Sequence, residues 1–358
     1  MKIKNIKNRL KSKHGCSHLH FEGNCRNRLK CKRSFDIPFS WLFAIIAGAI
    51  ILLIAIYAAS KIVGTSTTLK ESEAAKDLAN VLNPITNGIT SAFATKIELK
   101  KETRIYLSCE QSFSKGGYFG RQILSFSEKS GFIRKWPNTG MNISRYNKYI
   151  FADNMESGKT IYLFSKPFNS GFRVDDLIFM NLNKYCFIAT PGEIEQEITG
   201  LNIKNINITS SLDLCEKSYV NVCFGFTEAR CDVSVYGECS GASCSSEYET
   251  GYVEKNGKNL PYYDSLIYAA IFSSPENYQC NIARLGKKVY ELANLYKDKA
   301  EIVRVKNCDT NLGVFLDNII SISGNLTINK LNSLHDFSRQ MNEENCKANC
   351  KLYPASEC

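Results

Sequence analysis

The chain has 358 residues, 44% of them hydrophobic, with 45 Lys and Arg against 35 Asp and Glu and a net charge of +10. Almost all of that charge precedes residue 38: the first 37 residues hold eleven basic side chains and two acids, Glu22 and Asp36, so the remainder is left with +1. A broad basic field for nucleic acid is thereby excluded from most of the chain, and fifteen cysteines point to an oxidising compartment for part of it.

Residues 1–37 read as a basic cytoplasmic tail. At roughly 1 kcal/mol per Lys or Arg near the surface, such a tail favours the anionic inner leaflet of a bilayer. Three of the four histidines, His14, His18 and His20, are interleaved there with Cys16 and followed by Cys25 and Cys31. In a reducing cytosol such residues could bind zinc, but their spacing matches no C-x2-C finger. The alternative is a basic tail in which they are incidental. Cys31 is also a juxtamembrane lipidation candidate.

From Ile37 to Ser60 the sequence IPFSWLFAIIAGAIILLIAIYAAS carries no charge. About 20 apolar residues at 1.5 Å per residue cross a hydrocarbon core of about 30 Å. A transmembrane helix is therefore expected over 38–63, with the lipid bilayer as its partner. The basic flank sets the N-terminus inside and residues 64–358 outside. A cleaved signal fits less well. Its apolar core runs about 7–15 residues, and Tyr57-Ala58-Ala59 is a poor cleavage site.

Over 64–98 an amphipathic stalk helix is expected. Leu78, Val81, Leu82, Ile85, Ile89 and Phe93 follow helical spacing on one face, and Pro84 should kink it. The stripe packs either on its own domain or on another copy, which makes self-association through the stalk, or contact with envelope proteins, the expected partnership.

Residues 99–265 read as a β-rich, Cys-rich region. Arg104–Cys109, Arg121–Phe126, Lys148–Phe151, Thr160–Ser165 and Lys184–Ile188 have strand composition. Gly116, Gly117 and Gly120 mark a loop. Leu201, Ile203, Ile206 and Ile208 suggest another strand. Val220, Val222, Phe224 and Phe226 alternate, and Val233 and Val235 continue on a return strand after a turn at Thr227-Glu228. Asn256-Gly257 suits the type I′ turn of a second hairpin.

A helical portion follows over 266–345. Ser274-Pro275 is a helix start, with Ser capping and Pro in the first turn. Tyr278, Ile282, Leu285, Val289, Leu292 and Tyr296 hold one face, and further helices are expected over Leu312–Ile320 and from Thr327 to Met341. The end of the chain, 346–358, is a Cys-rich tail. Strands followed by helices make an α+β fold, and 295 outer residues suffice for a substantial core.

Twelve cysteines follow the apolar stretch: Cys109, Cys186, Cys215, Cys223, Cys231, Cys239, Cys244, Cys280, Cys308, Cys346, Cys350 and Cys358. Their even number allows complete pairing outside the cytosol, and in the segment with Cys215, Cys223, Cys231 and Cys239, eight apart, the absence of C-x-x-C favours disulfides over metal. Their connectivity stays open. Three N-x-S/T sequons lie in the same region, making Asn142, Asn207 and Asn325 glycosylation candidates.

Catalytic candidates are few. The outer region has one histidine, His335, beside Leu331 and Leu334 on the last predicted helix, where a structural role is expected. No G-x-S-x-G or H-E-x-x-H occurs, and Gly116-Gly117-Tyr118-Phe119-Gly120-Arg121 fits neither phosphate-binding fingerprint. Asp175, Asp176, Glu193, Glu195 and Glu197 are nearby carboxylates. Paired acids about 5–10 Å apart serve glycosidases, but a solvated loop is the simpler reading of Asp175-Asp176. No catalytic residue, metal ligand or cofactor is assigned.

The segment Pro38-Phe39-Ser40-Trp41-Leu42-Phe43-Ala44-Ile45-Ile46-Ala47-Gly48-Ala49-Ile50 resembles the anchor of an uncharacterised family of archaeal single-span, N-in membrane proteins. Phe164-Ser165-Lys166-Pro167-Phe168, Val174-Asp175-Asp176-Leu177-Ile178, Tyr268–Ser273 and Tyr278-Gln279-Cys280-Asn281 resemble it too. The resemblance implies an archaeal envelope protein and brings no activity. A looser likeness is to type IV pilin-like proteins, with an apolar N-terminal helix and a β-rich head. Arg33-Ser34-Phe35-Asp36 stands where a pilin leader would end in Gly or Ala. The expected function is a membrane-anchored surface protein with a structural or interaction role, and the alternative is a tethered enzyme with carboxylate chemistry.

Overall fold

A computed structural model describes residues 40–59, 93–111, 118–129, 136, 139, 142–239, 245–306, 311–348 and 350–354. The His14–Cys31 cluster, the stripe from Leu78 to Ile89, Gly116-Gly117, and Cys244, Cys308 and Cys358 lie outside the described residues. The chain divides into two units, at Ala59 and Ser60.

In the first unit, α1 (Ser40–Ala59) is 20 residues long with a mean hydropathy of 2.8 and none of it is buried in protein. Its length, about 30 Å, and its composition suffice to cross a membrane. Trp41, Phe43, Ile51, Leu53 and Tyr57 are all exposed on it, an unfavourable state in water.

The second unit opens with β1 (Phe93–Glu110), β2 (Arg121–Glu128), β3 (Ile143–Tyr146), β4 (Tyr149–Phe151), β5 (Met155–Ser170) and β6 (Phe172–Asn181). They form one sheet in the order β3-β2-β1-β5-β6-β4, antiparallel except for β4 beside β6. β1 begins at Phe93, so 93–98 is strand and not the end of a stalk helix. Ala94 to Glu98 pair with Thr160 to Phe164, and the β-branched Thr95 and Ile97 suit that ladder. Asp175 and Asp176 lie within β6, not in a loop, because β5 and β6 form a continuous hairpin through Gly171.

The second sheet contains β7 (Tyr185–Ile188), β8 (Ile206–Thr209), β9 (Val220–Phe224), β10 (Val233–Gly237), β11 (Thr250–Lys255) and β12 (Lys258–Tyr263), in the order β12-β11-β10-β9-β7-β8. Between β7 and β8 runs α2 (Gly192–Gly200). The strand expected from Leu201 is therefore confined to Ile206–Thr209, and Leu201 follows the helix. β9 and β10 are parallel neighbours, not the two arms of a hairpin. The link from Gly225 to Asp232 runs back along β9. There Asp232 N donates to Asn221 O (3.0 Å), and the Cys223–Cys231 disulfide fixes the return. The Asn256-Gly257 turn has φ of +53° and +69°, the two positive angles of a type I′ turn.

Four helices close the chain: α3 (Leu266–Phe272), α4 (Pro275–Arg304), α5 (Gly313–Ser323) and α6 (Leu331–Lys347). Ser274 caps α4 by accepting from Asn277 N (3.3 Å), with Pro275 in the first turn. All seven residues of α3 are buried, as expected of a helix apolar on every side. Phe272 meets Phe164 of the first sheet (5.5 Å between rings) and Tyr185 of the second (4.8 Å). This aromatic knot is the centre of the main core. A second core, with Ile105, Leu124, Phe126, Ile161, Leu163 and Met180, fills the other face of the first sheet. That sheet curls until β2 approaches β4, where Gln122 Oε1 accepts from Ile150 N (3.2 Å).

Candidate functional site

A group of titratable side chains around a solvent-accessible acid comes from six segments. Lys166 lies on β5, Glu197 on α2, Glu249 just before β11, Asp264 between β12 and α3, Tyr268 on α3 and His335 on α6. Lys166 shares a strand face with the buried Phe164 and Phe168. Its stem thus covers apolar surface while its ammonium reaches out, to Glu197 Oε1 and to within 5.1 Å of the Tyr268 ring centre. Tyr268 donates its hydroxyl to Glu197 Oε2 (2.7 Å).

His335 Nε2 meets Glu249 Oε1 at 3.0 Å. Glu249 Oε2 accepts from Ser245 N (2.6 Å) and Ser245 Oγ (2.8 Å). Burial pushes the Glu249 carboxyl up, but the two Ser245 bonds and His335 outweigh it, so the carboxyl ends below the usual range. His335 also lies 5.1 Å from the Tyr263 ring. It fastens α6 to β11 and β12.

Asp264 is held in the left-handed region at φ +46°, at a cost of order 1–3 kcal/mol that aspartate tolerates better than most residues. Its N–H donates to Glu249 O (2.8 Å) and its C=O accepts from Ile267 N (3.1 Å), which hold the turn. The residue is crowded yet open to solvent. Crowding raises its carboxyl above the ordinary value, and Lys166 and His335 only partly offset this. Both oxygens of Glu197 and of Glu249 are occupied by partners, while the Ser265 N–H lowers the Asp264 carboxyl slightly against the effect of crowding.

The arrangement can exchange a proton at Asp264 and offer hydrogen bonds to a polar ligand. Among the described residues it supplies no activated Ser or Cys, and no group of three or more His, Cys, Asp or Glu is placed to hold a metal ion. A separate groove of about 280 Å³ is lined by Ala94–Lys96, Tyr162–Phe164 and Asn202–Asn205. It includes none of the six residues above.

The other sequence candidates are dispersed. Asp175 accepts from Lys288 of α4, and Asp176 accepts from Arg173 Nη2 (2.7 Å). Glu193 and Glu195 are exposed on α2. Cys109 pairs with Cys280, Cys186 with Cys215 and Cys223 with Cys231. Cys239, Cys346 and Cys350 are disulfide-bonded as well. Asn142, Asn207 and Asn325 are all exposed. Sequence reasoning missed Lys166, Glu249, Asp264 and Tyr268 as a group. The one local signal was Asp264 itself, a small acid between a strand ending in Tyr262-Tyr263 and an apolar helix. The chain matches no protein-family model, no curated protein and no solved structure.

Proposed function

We propose that the protein is a single-pass surface protein, anchored by α1 with its basic tail inside and its disulfide-bonded body outside. Its role there is structural or interactive, in an archaeal-type envelope or pilus-like assembly. The observation that carries this reading is the pairing of a 20-residue uncharged helix with a body that has nine oxidised cysteines. Disulfides of this density persist outside the cytosol, and the +9 tail opposes export of the N-terminus. The saturated ion pairs around Asp264 fit a structural seam between helices and sheets. Protease added to intact cells should remove residues beyond about 64 and spare the tail. Protection of the body would overturn the reading.

Asp264 favours a second reading, a tethered enzyme with carboxylate chemistry, because it is a raised, accessible acid among three charged neighbours. Purified protein offered a panel of glycosides checks this. Turnover lost in Asp264→Asn and kept in His335→Gln would support it. No turnover above the Asp264→Asn background would remove it.

A further inference from the structure

Two sheets present four edges, and among the described residues two of them are sealed by the chain's own groups. At β4, Ile150 N is taken by Gln122, Ile150 O accepts from Asn281 Nδ2 (2.9 Å), and Ala152 O accepts from Asn277 Nδ2 (2.9 Å). These side chains satisfy the backbone groups that a foreign strand would need. At β12, α3 and α6 pack alongside. Pro261 has no N–H to offer, and its carbonyl accepts from Tyr278 Oη (2.6 Å). Proline and helix cover are standard protections for an edge.

The other two edges, β3 and β8, have no neighbour on their outer side among the described residues. Each is a short strand: β3 reads Ile143-Ser144-Arg145-Tyr146, with Arg145 Nη1 donating to Ser144 O (3.4 Å), and β8 reads Ile206-Asn207-Ile208-Thr209, with three β-branched residues of four. Unpaired N–H and C=O groups in such strands template pairing with another chain. Both carry a sequon. Asn142 directly precedes β3, with Ser144 inside it. Asn207 and Thr209 lie within β8. Asn207 is exposed and alternates with Ile206 and Ile208, which pack against the core. Asn142 accepts from Ser125 Oγ at its Oδ1, which leaves Nδ2 for substitution. By contrast the buried asparagines Asn181, Asn205, Asn277, Asn281 and Asn345 all lie outside sequons.

We propose that N-linked glycans on Asn142 and Asn207 shield the two open sheet edges from strand addition by neighbouring chains. The inference rests on the surface reading above, since the donor lies outside the cytosol. The co-reactant is an oligosaccharide on a polyprenyl phosphate or diphosphate, transferred by a membrane enzyme of the host. A bond forms between asparagine Nδ2 and the anomeric carbon. The anomeric carbon–phosphate oxygen bond breaks with its electron pair, and the Nδ2 proton goes to the transferase base. The polyprenyl phosphate, or diphosphate if that was the donor, leaves, and no electrons are exchanged with an external oxidant. A hydrophilic, bulky chain at each edge then does sterically what Pro261 and the α4 side chains do at the others.

The test uses the full chain purified in detergent from its own host. Peptide mass spectrometry should find glycan on Asn142 and on Asn207. The variant Asn142→Gln with Asn207→Gln should stay folded and shift to an assembly of roughly twofold or greater mass by light scattering. Asn325→Gln, which alters a loop between helices, should keep the parent's mass. If the double Gln variant fails to fold, Ser144→Ala with Thr209→Ala abolishes both sequons while keeping the asparagines, and must associate in the same way. Unmodified Asn142 and Asn207, or modified sites whose loss leaves the size unchanged, would overturn the proposal. Glycan at Asn325 alone would overturn it while leaving the surface reading intact. Absence at all three, with the body protected from external protease, would overturn both.

Discussion

Glu156 of β5 is a carboxyl enclosed by protein. One oxygen accepts from Leu182 N, and the other has no partner among the described residues. Burial raises the group from 4.5 to about 7 against the pull of the Leu182 bond, with Asp153 adding to the rise and Lys255 opposing it. Lys255 spends its ammonium on Asp153 Oδ1 (2.8 Å) and on the carbonyls of Ile271 (3.1 Å) and Ser273 (3.0 Å), so it caps the end of α3. A carboxyl raised in the folded state binds its proton more tightly folded than unfolded. Its stabilising contribution is therefore complete below about 4.5 and is lost as pH climbs through about 7. The difference amounts to about 3 kcal/mol. Glu156→Gln should accordingly gain stability over the parent at pH 8 and lose that advantage at pH 4, measured by denaturant unfolding at both pH values. An equal effect at the two would exclude a proton bound at Glu156.

Among the elements, α4 has the widest reach. Its face carrying Asn277, Asn281 and Arg284 closes the gap left by the curled first sheet. Arg284, wholly buried, donates to Phe119 O (2.9 Å), Lys148 O (2.9 Å) and Asn281 Oδ1 (2.8 Å). Burial lowers its guanidinium to about 10. At Gly286 a Cβ would meet Leu326 Cβ at 2.4 Å and Ser323 O at 2.9 Å, so only glycine lets the end of α5 and the turn after it come this close. The Cys109–Cys280 disulfide ties β1 to α4 over 171 residues, against 8 for Cys223–Cys231. By loop-closure entropy the longer ring contributes about 2–3 kcal/mol more. Cys109→Ser with Cys280→Ser should thus lower stability more than Cys223→Ser with Cys231→Ser, read by thermal unfolding. Comparable losses would mean that local strain, and not chain entropy, sets both.

At this scale the sequence was readable where the signal is local. Asn256-Gly257 and Ser274-Pro275 fix their own backbone, so the hairpin and the start of α4 could be located in advance. The parallel return from β9 to β10 was hidden, because alternation of Val and Phe does not state strand direction. β6 was hidden behind Asp175-Asp176, since a charge pair in a strand needs Lys288 and Arg173 nearby to be tolerated. The group around Asp264 was equally illegible: its members are up to 169 positions apart, from Lys166 to His335, and only the fold gathers them.

For the whole molecule, the open question is how many copies act together. The stripe of Leu78, Ile85 and Ile89 has about 1.5–3 kcal/mol per side chain to gain from burial. If the partner is another copy, Leu78→Asp with Ile85→Asp should reduce the particle mass in detergent while the body melts as before. If the partner is the body itself, the melting temperature should fall and the mass should stay. A change in neither would remove the stripe as an interface.

The Cys109–Cys280 bond has one more consequence. It makes most of the body a covalent ring that contains both sheets except β1, of which only Cys109 and Glu110 belong to the ring, together with α2, α3 and the start of α4. A single cut anywhere between the two cysteines opens that ring without dividing the molecule. A protein of this design can be nicked by a protease and still migrate as one species until a thiol is added. Its integrity in the field is thus recorded only by electrophoresis run both with and without reductant, and the difference between the two lanes counts the wounds it has survived.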